Sequence, residues 1–361
     1  MSAADSTVSM GAIAGDRSRT AAVMLIVLTI ALVLTAVISL GVGPSGMPLG
    51  RVLAVLLAGP NADHLPAADV LIVWQIRMPR VLLGALIGAS LAVAGAVLQG
   101  LFRNPLADPG LVGVSSGAAL GAVTVIVLGP GVLAPVFLLV GFAALPIAAF
   151  TGGLIATIIL YVIATRHGRT SVATMLLAGI ALGAFAGAGT GLLIYVASDQ
   201  QLREVTFWTL GALSGASWMK LAVCGPVMAL VLLAAPVLGR GLNAIVLGEA
   251  EAYHLGINVQ RMKKLAIFLV AAATGAAVAV SGVIGFVGIV VPHLLRLGMG
   301  ADHRPLLPAC ALLGGILLLV ADMLARTIVA PAELPIGIIT AALGAPFFLW
   351  LLLRNRSFVD L

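Results

Sequence analysis

Charge is what this chain has least of. Asp, Glu, Lys and Arg make up 9% of its 361 residues and hydrophobic residues 61%, whereas a soluble domain carries roughly 25% charged residues. That shortage excludes an ordinary soluble fold and reads as a polytopic membrane protein with the lipid bilayer as its solvent. Lysine is scarcer still. A phosphate-binding loop needs Lys followed by Ser or Thr, so that ammonium and hydroxyl reach phosphate and Mg²⁺. Here Lys220, Lys263 and Lys264 are followed by Leu, Lys and Leu, so ATP is not held in that way and no cofactor is expected in this chain. Cys224 and Cys310 are the two cysteines, both within apolar runs and without metal-ligand spacing; they read as buried thiols. The five histidines are scattered, with no His-Glu-x-x-His, and no metal site is expected. Asp322 is the one acid deep in an apolar run, with Arg326 one turn later as a local ion-pair partner. An intramembrane hydrolase lacks its paired acids or nucleophile and base. An ion-coupled transporter lacks its several buried carboxylates. The net charge of +6 is better read as basic loops held inside the cell than as a nucleic-acid surface.

A helix needs about 20 apolar residues to cross the hydrocarbon core. Such runs fall at 21–41, 80–101, 112–129, 136–164, 171–196, 217–238, 264–282, 284–298, 306–327 and 336–354, which makes ten. The eighth is short and carries Pro292, and its boundary with the seventh, at "SGVIGF", is the weakest in the pattern. A ten-span domain over 21–354 leaves short tails at 1–20 and 355–361. An even count puts both termini on one side. With both inside, thirteen of the nineteen Lys and Arg face the cytoplasm and six do not, which supports an N-in, C-in all-α protein. The outer arginines run against that rule and call for a reason. Small residues recur four apart at Gly84 and Gly88, at Gly117 and Gly121, and at Gly183, Gly187 and Gly191, where the missing side chain lets helix backbones approach. Packing within the subunit explains most such faces. The triple on the fifth span is also a candidate for the wall of a moving pathway.

One polar stretch stands apart. "GEAEAYHLGINVQRMKK", residues 248–264, interrupts two apolar runs with two acids, a short helical segment and a basic cluster. It lies in the largest expected cytoplasmic loop, 239–263, where Gly256 is a plausible helix stop and Arg261 to Lys264 mark the membrane edge. A short helix across that face can pass a push from a partner into the bundle.

Long motifs then name a family. "RMPRVLLGALIGASLAVAGAVLQGLFRNPLADPGLVGVSSGAALG" (77–121), "SGVIGFVGIVVPHLLRLGMGADHRPLLP" and "LARTIVAPAELPIGIITAALGAPFFLWLL" closely resemble the membrane subunits of ABC importers for iron-siderophores, haem and cobalamin. The match runs from the second span onward; the first 75 residues resemble the family in hydropathy alone. The resemblance implies a type II importer permease in the bacterial inner membrane, working as a homodimer. It also implies two copies of a cytoplasmic ATPase, which would hold ATP and Mg²⁺, and a periplasmic substrate-binding protein. Carried onto this sequence, it implies ATPase coupling by Glu249, Glu251, Tyr253, His254, Leu255 and Gly256. It implies docking of the binding protein's carboxylates by Arg77, Arg80 and Arg326, for which a planar guanidinium fork is suited. Headgroup anchoring is the rival reading, and for Arg326 pairing with Asp322 competes. The segment 198–218, "SDQQLREVTFWTLGALSGASW", would form a periplasmic gate, with Asp199, Gln200, Gln201 and Arg203 at the mouth of a pathway lined by Gly183, Gly187 and Gly191. The same motifs look most like haem-importing members, with ferric siderophore and cobalamin as the alternatives.

Overall fold

The structure is a computed structural model that describes residues 18–44, 46–62, 64–131, 134–135, 140–167 and 169–354. Of the expected tails, only residues 18–20 fall among them. The described chain is almost entirely helical: α1 (Ser18–Gly41), α2 (Leu49–Ala58), α3 (Ala67–Leu71), a π-helical turn (Ile72–Arg77), α4 (Met78–Phe102), α5 (Val114–Leu128), α6 (Ala144–Ala164), α7 (Val172–Tyr195), α8 (Asp199–Thr209), α9 (Trp218–Ala234), α10 (Gly239–Leu247), α11 (Glu249–His254), α12 (Val259–Ser281), α13 (Val287–Met299), α14 (His303–Thr327) and α15 (Ile336–Arg354). The ten expected spans correspond to α1, α4, α5, α6, α7, α9, α12, α13, α14 and α15. Seven stretches, from Arg19–Gly41 to His303–Thr327, are long and apolar enough to cross a membrane. The third, eighth and tenth spans, α5, α13 and α15, are shorter apolar helices.

α4 is the hub. It packs against α14, α12, α13 and α9, and its small residues set the distance. A Cβ added at Gly88 would lie 2.2 Å from the Gly314 carbonyl oxygen on α14, and one at Gly95 would lie 2.1 Å from that of Gly288 on α13. Both are backbone contacts that no side chain can yield to.

The weak boundary at "SGVIGF" is a real break. Gly282 (φ 71°) and Phe286 (φ 68°) take left-handed conformations, so the backbone leaves α12 and restarts as α13. Non-helical backbone at this depth needs partners within the protein. The Ala212 N–H donates to the Ser281 carbonyl at 2.8 Å, and the Ile336 N–H donates to that of Gly211 at 2.9 Å. The turn after α8 is thereby stitched to the end of α12 and the start of α15.

Candidate functional sites at the two ends of the bundle

At one end, the π-helical turn delivers Arg77 and Arg80 to the root of α4. Arg80 donates through Nε (3.0 Å) and Nη2 (2.8 Å) to Asp322 Oδ1. Its Nη1 and Nη2 also donate to the two carboxylate oxygens of Glu333, at 2.9 and 3.0 Å. Asp322 serves a second cation: its Oδ2 lies 3.0 Å from Arg326 Nη2. Arg326 also donates to Ser39 Oγ (2.8 Å) and the Val42 carbonyl (2.9 Å), and Arg77 donates to the Leu40 carbonyl. Those acceptors sit at the C-terminus of α1, whose last carbonyls have no partner within the helix and carry the negative end of its dipole. The local Asp322–Arg326 pair expected from spacing is therefore present, inside a larger network.

The burial differs from the expectation of surface arginines. Arg77, Arg80 and Arg326 are 4%, 7% and 3% exposed, and Asp322 is fully buried. The reason is local supply: Asp322, Glu333 and the end of α1 already provide acceptors within the chain. Glu333 is the partner that reaches the surface, with 31% of its side chain exposed.

Beside this network lies the expected gate. Ser198 caps α8 by accepting from the Gln201 N–H, while Gln201 Oε1 accepts from the Ser198 N–H at 2.9 Å. This reciprocal box satisfies two otherwise orphaned donors. Gln201 also donates through Nε2 to the Val127 carbonyl at 2.9 Å, so it ties α8 to the end of α5. Asp199, Gln200 and Arg203 remain exposed. Arg203, Glu204 and Lys220 share the wall of a cavity of about 540 Å³ with Phe207 and Trp208. Of the glycine triple on α7, a Cβ added at Gly183 would lie 3.5 Å from Ser116 Oγ, while at Gly187 and Gly191 it would meet open space among the described residues. The other two glycine pairs pack inside the chain.

At the opposite end, the short helix anticipated within 248–264 is α11, with Glu249 and Glu251 in its first turn, where the helix dipole favours acids. It stops as a Schellman motif: the Gly256 N–H donates to the Tyr253 carbonyl and the Ile257 N–H to that of Ala252, both at 3.0 Å, with Gly256 at φ 80°. Ala252 is fully buried and anchors the helix, leaving Tyr253 73% and Leu255 64% exposed. A hollow of about 970 Å³ runs alongside, lined by Glu249, Tyr253, His254, Gly256, Gln260 and Arg169. In the basic cluster, Arg261 and Lys264 are exposed, whereas Lys263 turns inward. Its Nζ donates to Glu249 Oε1 at 2.7 Å and to the Thr170 carbonyl at 2.9 Å. Thr170 closes a two-residue hairpin, Thr165–Arg166 with Arg169–Thr170.

Nearby, Asp302 caps α14. Partial burial pushes its carboxyl up, but hydrogen bonds from the Arg304 N–H (3.0 Å) and Asn243 Nδ2 (2.6 Å) outweigh this and hold it below the usual carboxylate range.

Glu333, Lys263 and Gln260 are the working contacts that sequence reasoning left out. Glu333 stood within a quoted motif, "APAELPIG", but its partner is 253 positions away. The inward turn of Lys263 has no signature within the basic run.

Comparison with known proteins gives a consistent picture. The hemin transport system permease of Yersinia pestis is 50% identical over 286 residues, 79% of this chain and 84% of that protein. The cobalamin import permease of Halobacterium salinarum is 46% identical over 84% of this chain and 79% of its own length. The vitamin B12 import permease of Klebsiella pneumoniae is 42% identical over 91% and 93%. A solved structure of a metal-chelate type ABC transporter in an inward-facing conformation superposes with a TM-score of 0.79 at 33% identity, covering 91% of this chain and 98% of that one. With the FecCD transport family model matching residues 31–354, the chain belongs to that family of ABC importer permeases.

Proposed function

We propose that this permease moves haem across the bacterial inner membrane, as a homodimer served by two copies of a cytoplasmic ATPase and by a periplasmic binding protein. The observation that carries the partner reading is α11: a short, well-terminated helix whose buried Ala252 fixes it while Tyr253 and Leu255 stand exposed beside a hollow. Two exposed large side chains, one on a six-residue helix and one at its C-cap, suit a joint to another protein better than a solvated connector does. The absence of a Lys-Ser/Thr pair in the sequence supports an ATPase on a separate chain. The 50% identity to the hemin permease supports the cargo. Ferric siderophore and cobalamin are the competing cargoes, the latter favoured by the relatives at 46% and 42% identity.

In this reading ATP binding and hydrolysis move α11, and the gate at α7 and α8 answers. Each state must differ in its contacts with ATPase and binding protein, since a ligand that binds both states equally shifts nothing. The open faces of Gly187 and Gly191 suit the second copy or the pathway between copies. Docking at Arg77, Arg80 and Arg326 takes a particular form here. A carboxylate of the binding protein replaces Glu333, the exposed member of the network, on Arg80. Such exchange sets register and encounter rate more than affinity. The test is reconstitution with the cognate ATPase and binding protein, followed by ATP-dependent uptake of haem, of a ferric siderophore and of cobalamin. Haem uptake that requires both partners supports the reading; uptake indifferent to ATP overturns it in favour of an ion-coupled carrier.

A further inference from the structure

Lys263 is 3% exposed, an unusual place for a lysine, and its two acceptors belong to different parts of the chain. Glu249 opens α11, while Thr170 is the last residue before the cap of α7. Ser171, next in sequence, accepts from the Thr174 N–H as the N-cap of α7. Gln260, one turn from Lys263, accepts the Thr170 N–H through Oε1 at 3.0 Å. Both backbone groups of Thr170 are thus held by the first turns of α12. The hairpin cannot slide independently either: the Ser171 N–H donates to the Ala164 carbonyl at 2.9 Å, and the Thr165 and Thr170 hydroxyls are 3.0 Å apart.

We infer that Lys263 is a positioning residue that links movement of α11 to α7, through Glu249 on one side and Thr170 with the Ser171 cap on the other. This rests on the reading of α11 as the ATPase joint. An ammonium suits the position because it offers three donors on a compact head, so a carboxylate and a carbonyl in different directions are satisfied at once. When α11 shifts, Glu249 draws the Lys263 ammonium with it, and while the bond to the Thr170 carbonyl holds, the movement reaches the root of the glycine-faced helix. A buried ammonium cannot give up both acceptors cheaply, which makes this a stiff link.

The test uses the full complex with its ATPase in proteoliposomes. Spin labels at Ala250 on α11 or Phe185 on α7, each with a reference label at Ile30 on α1, report distances before and after ATP. Wild type is expected to show changes in both pairs. Lys263→Met keeps the aliphatic stem and loses both donated bonds. It is expected to retain the α11 change, to lose most of the α7 change and to lower haem uptake per ATP hydrolysed by about tenfold, the order expected from losing a hydrogen bond to a charged group. Glu249→Gln, which keeps an acceptor oxygen, is expected to retain most of the α7 response, while Glu249→Leu does not. A full α7 response in Lys263→Met or in Glu249→Leu would overturn the link. If wild-type α11 fails to respond to ATP, the joint reading itself fails and the link falls with it.

Discussion

α4 and α7 carry the same device, glycines four residues apart along one face, and the fold uses it in opposite ways. In the stretch containing α4, 83% of the most apolar window is buried; in α7 the figure is 22%. On α4 the glycine face is pressed against the backbones of α13 and α14. On α7 a Cβ at Gly187 or Gly191 would meet nothing within 4 Å among the described residues. Close approach of helices is what small residues permit, but it occurs only where another helix is supplied. On α4 the partner is in the chain. On α7 none is present among the described residues, and the proposed second copy or pathway would take that place.

The largest expected effect lies at the root of α4. Asp322→Ala takes the shared carboxylate from Arg80 and Arg326, both buried, leaving Arg80 to Glu333 and Arg326 to the end of α1; removing one member of a buried ion pair costs about 3–5 kcal/mol. Thermal unfolding in detergent should show it as a severe loss; a variant as stable as wild type would mean the network is dispensable. Gly88→Ala comes next. Its new methyl would meet the Gly314 carbonyl, and overpacking of this kind costs about 1–3 kcal/mol. Gly187→Ala and Gly191→Ala should leave stability unchanged or raise it by up to about 1 kcal/mol, since Ala outranks Gly in a helix interior. Uptake should nevertheless fall in these two variants. If they unfold as Gly88→Ala does, the contrast between the helices is wrong; if they transport normally, the open face is neither pathway nor dimer contact. The smallest effect on stability is expected for Tyr253→Ala and Leu255→Ala, because both side chains are already largely exposed. Their consequence should appear as loss of coupling between ATP hydrolysis and uptake, measured side by side in vesicles.

Hydropathy made the apolar helices legible, seven of them long enough to reach across the hydrocarbon and three, α5, α13 and α15, shorter than that. Even the uncertain junction at 282–286 was marked by its glycines, of which Gly282 takes the left-handed backbone that ends α12. The short helix at α11 was equally readable, from its acids and from Gly256. What hydropathy could not show was direction. Lys263 and Lys264 are neighbours in one basic run, yet one is buried and the other exposed; helical geometry sends them to different faces, and which face meets Glu249 depends on the tertiary fold. The arginines are a second case. Spacing revealed that Arg326 could pair with Asp322, while the bond from Arg80 to Asp322 spans 242 positions and leaves no local trace. Gln201 likewise read as a polar residue at a pore mouth, and in the fold its side chain holds α8 to α5.

One measurement tests most directly the proposal that the permease is an ATP-driven haem conduit. Proteoliposomes containing the permease, its cognate ATPase and its binding protein are loaded with ATP, and haem entry is compared with entry of a ferric siderophore and of cobalamin. The expected result is haem entry that requires ATP and both partners and exceeds that of the other cargoes. Haem entry that proceeds equally without ATP, or its absence while another cargo enters, would contradict it.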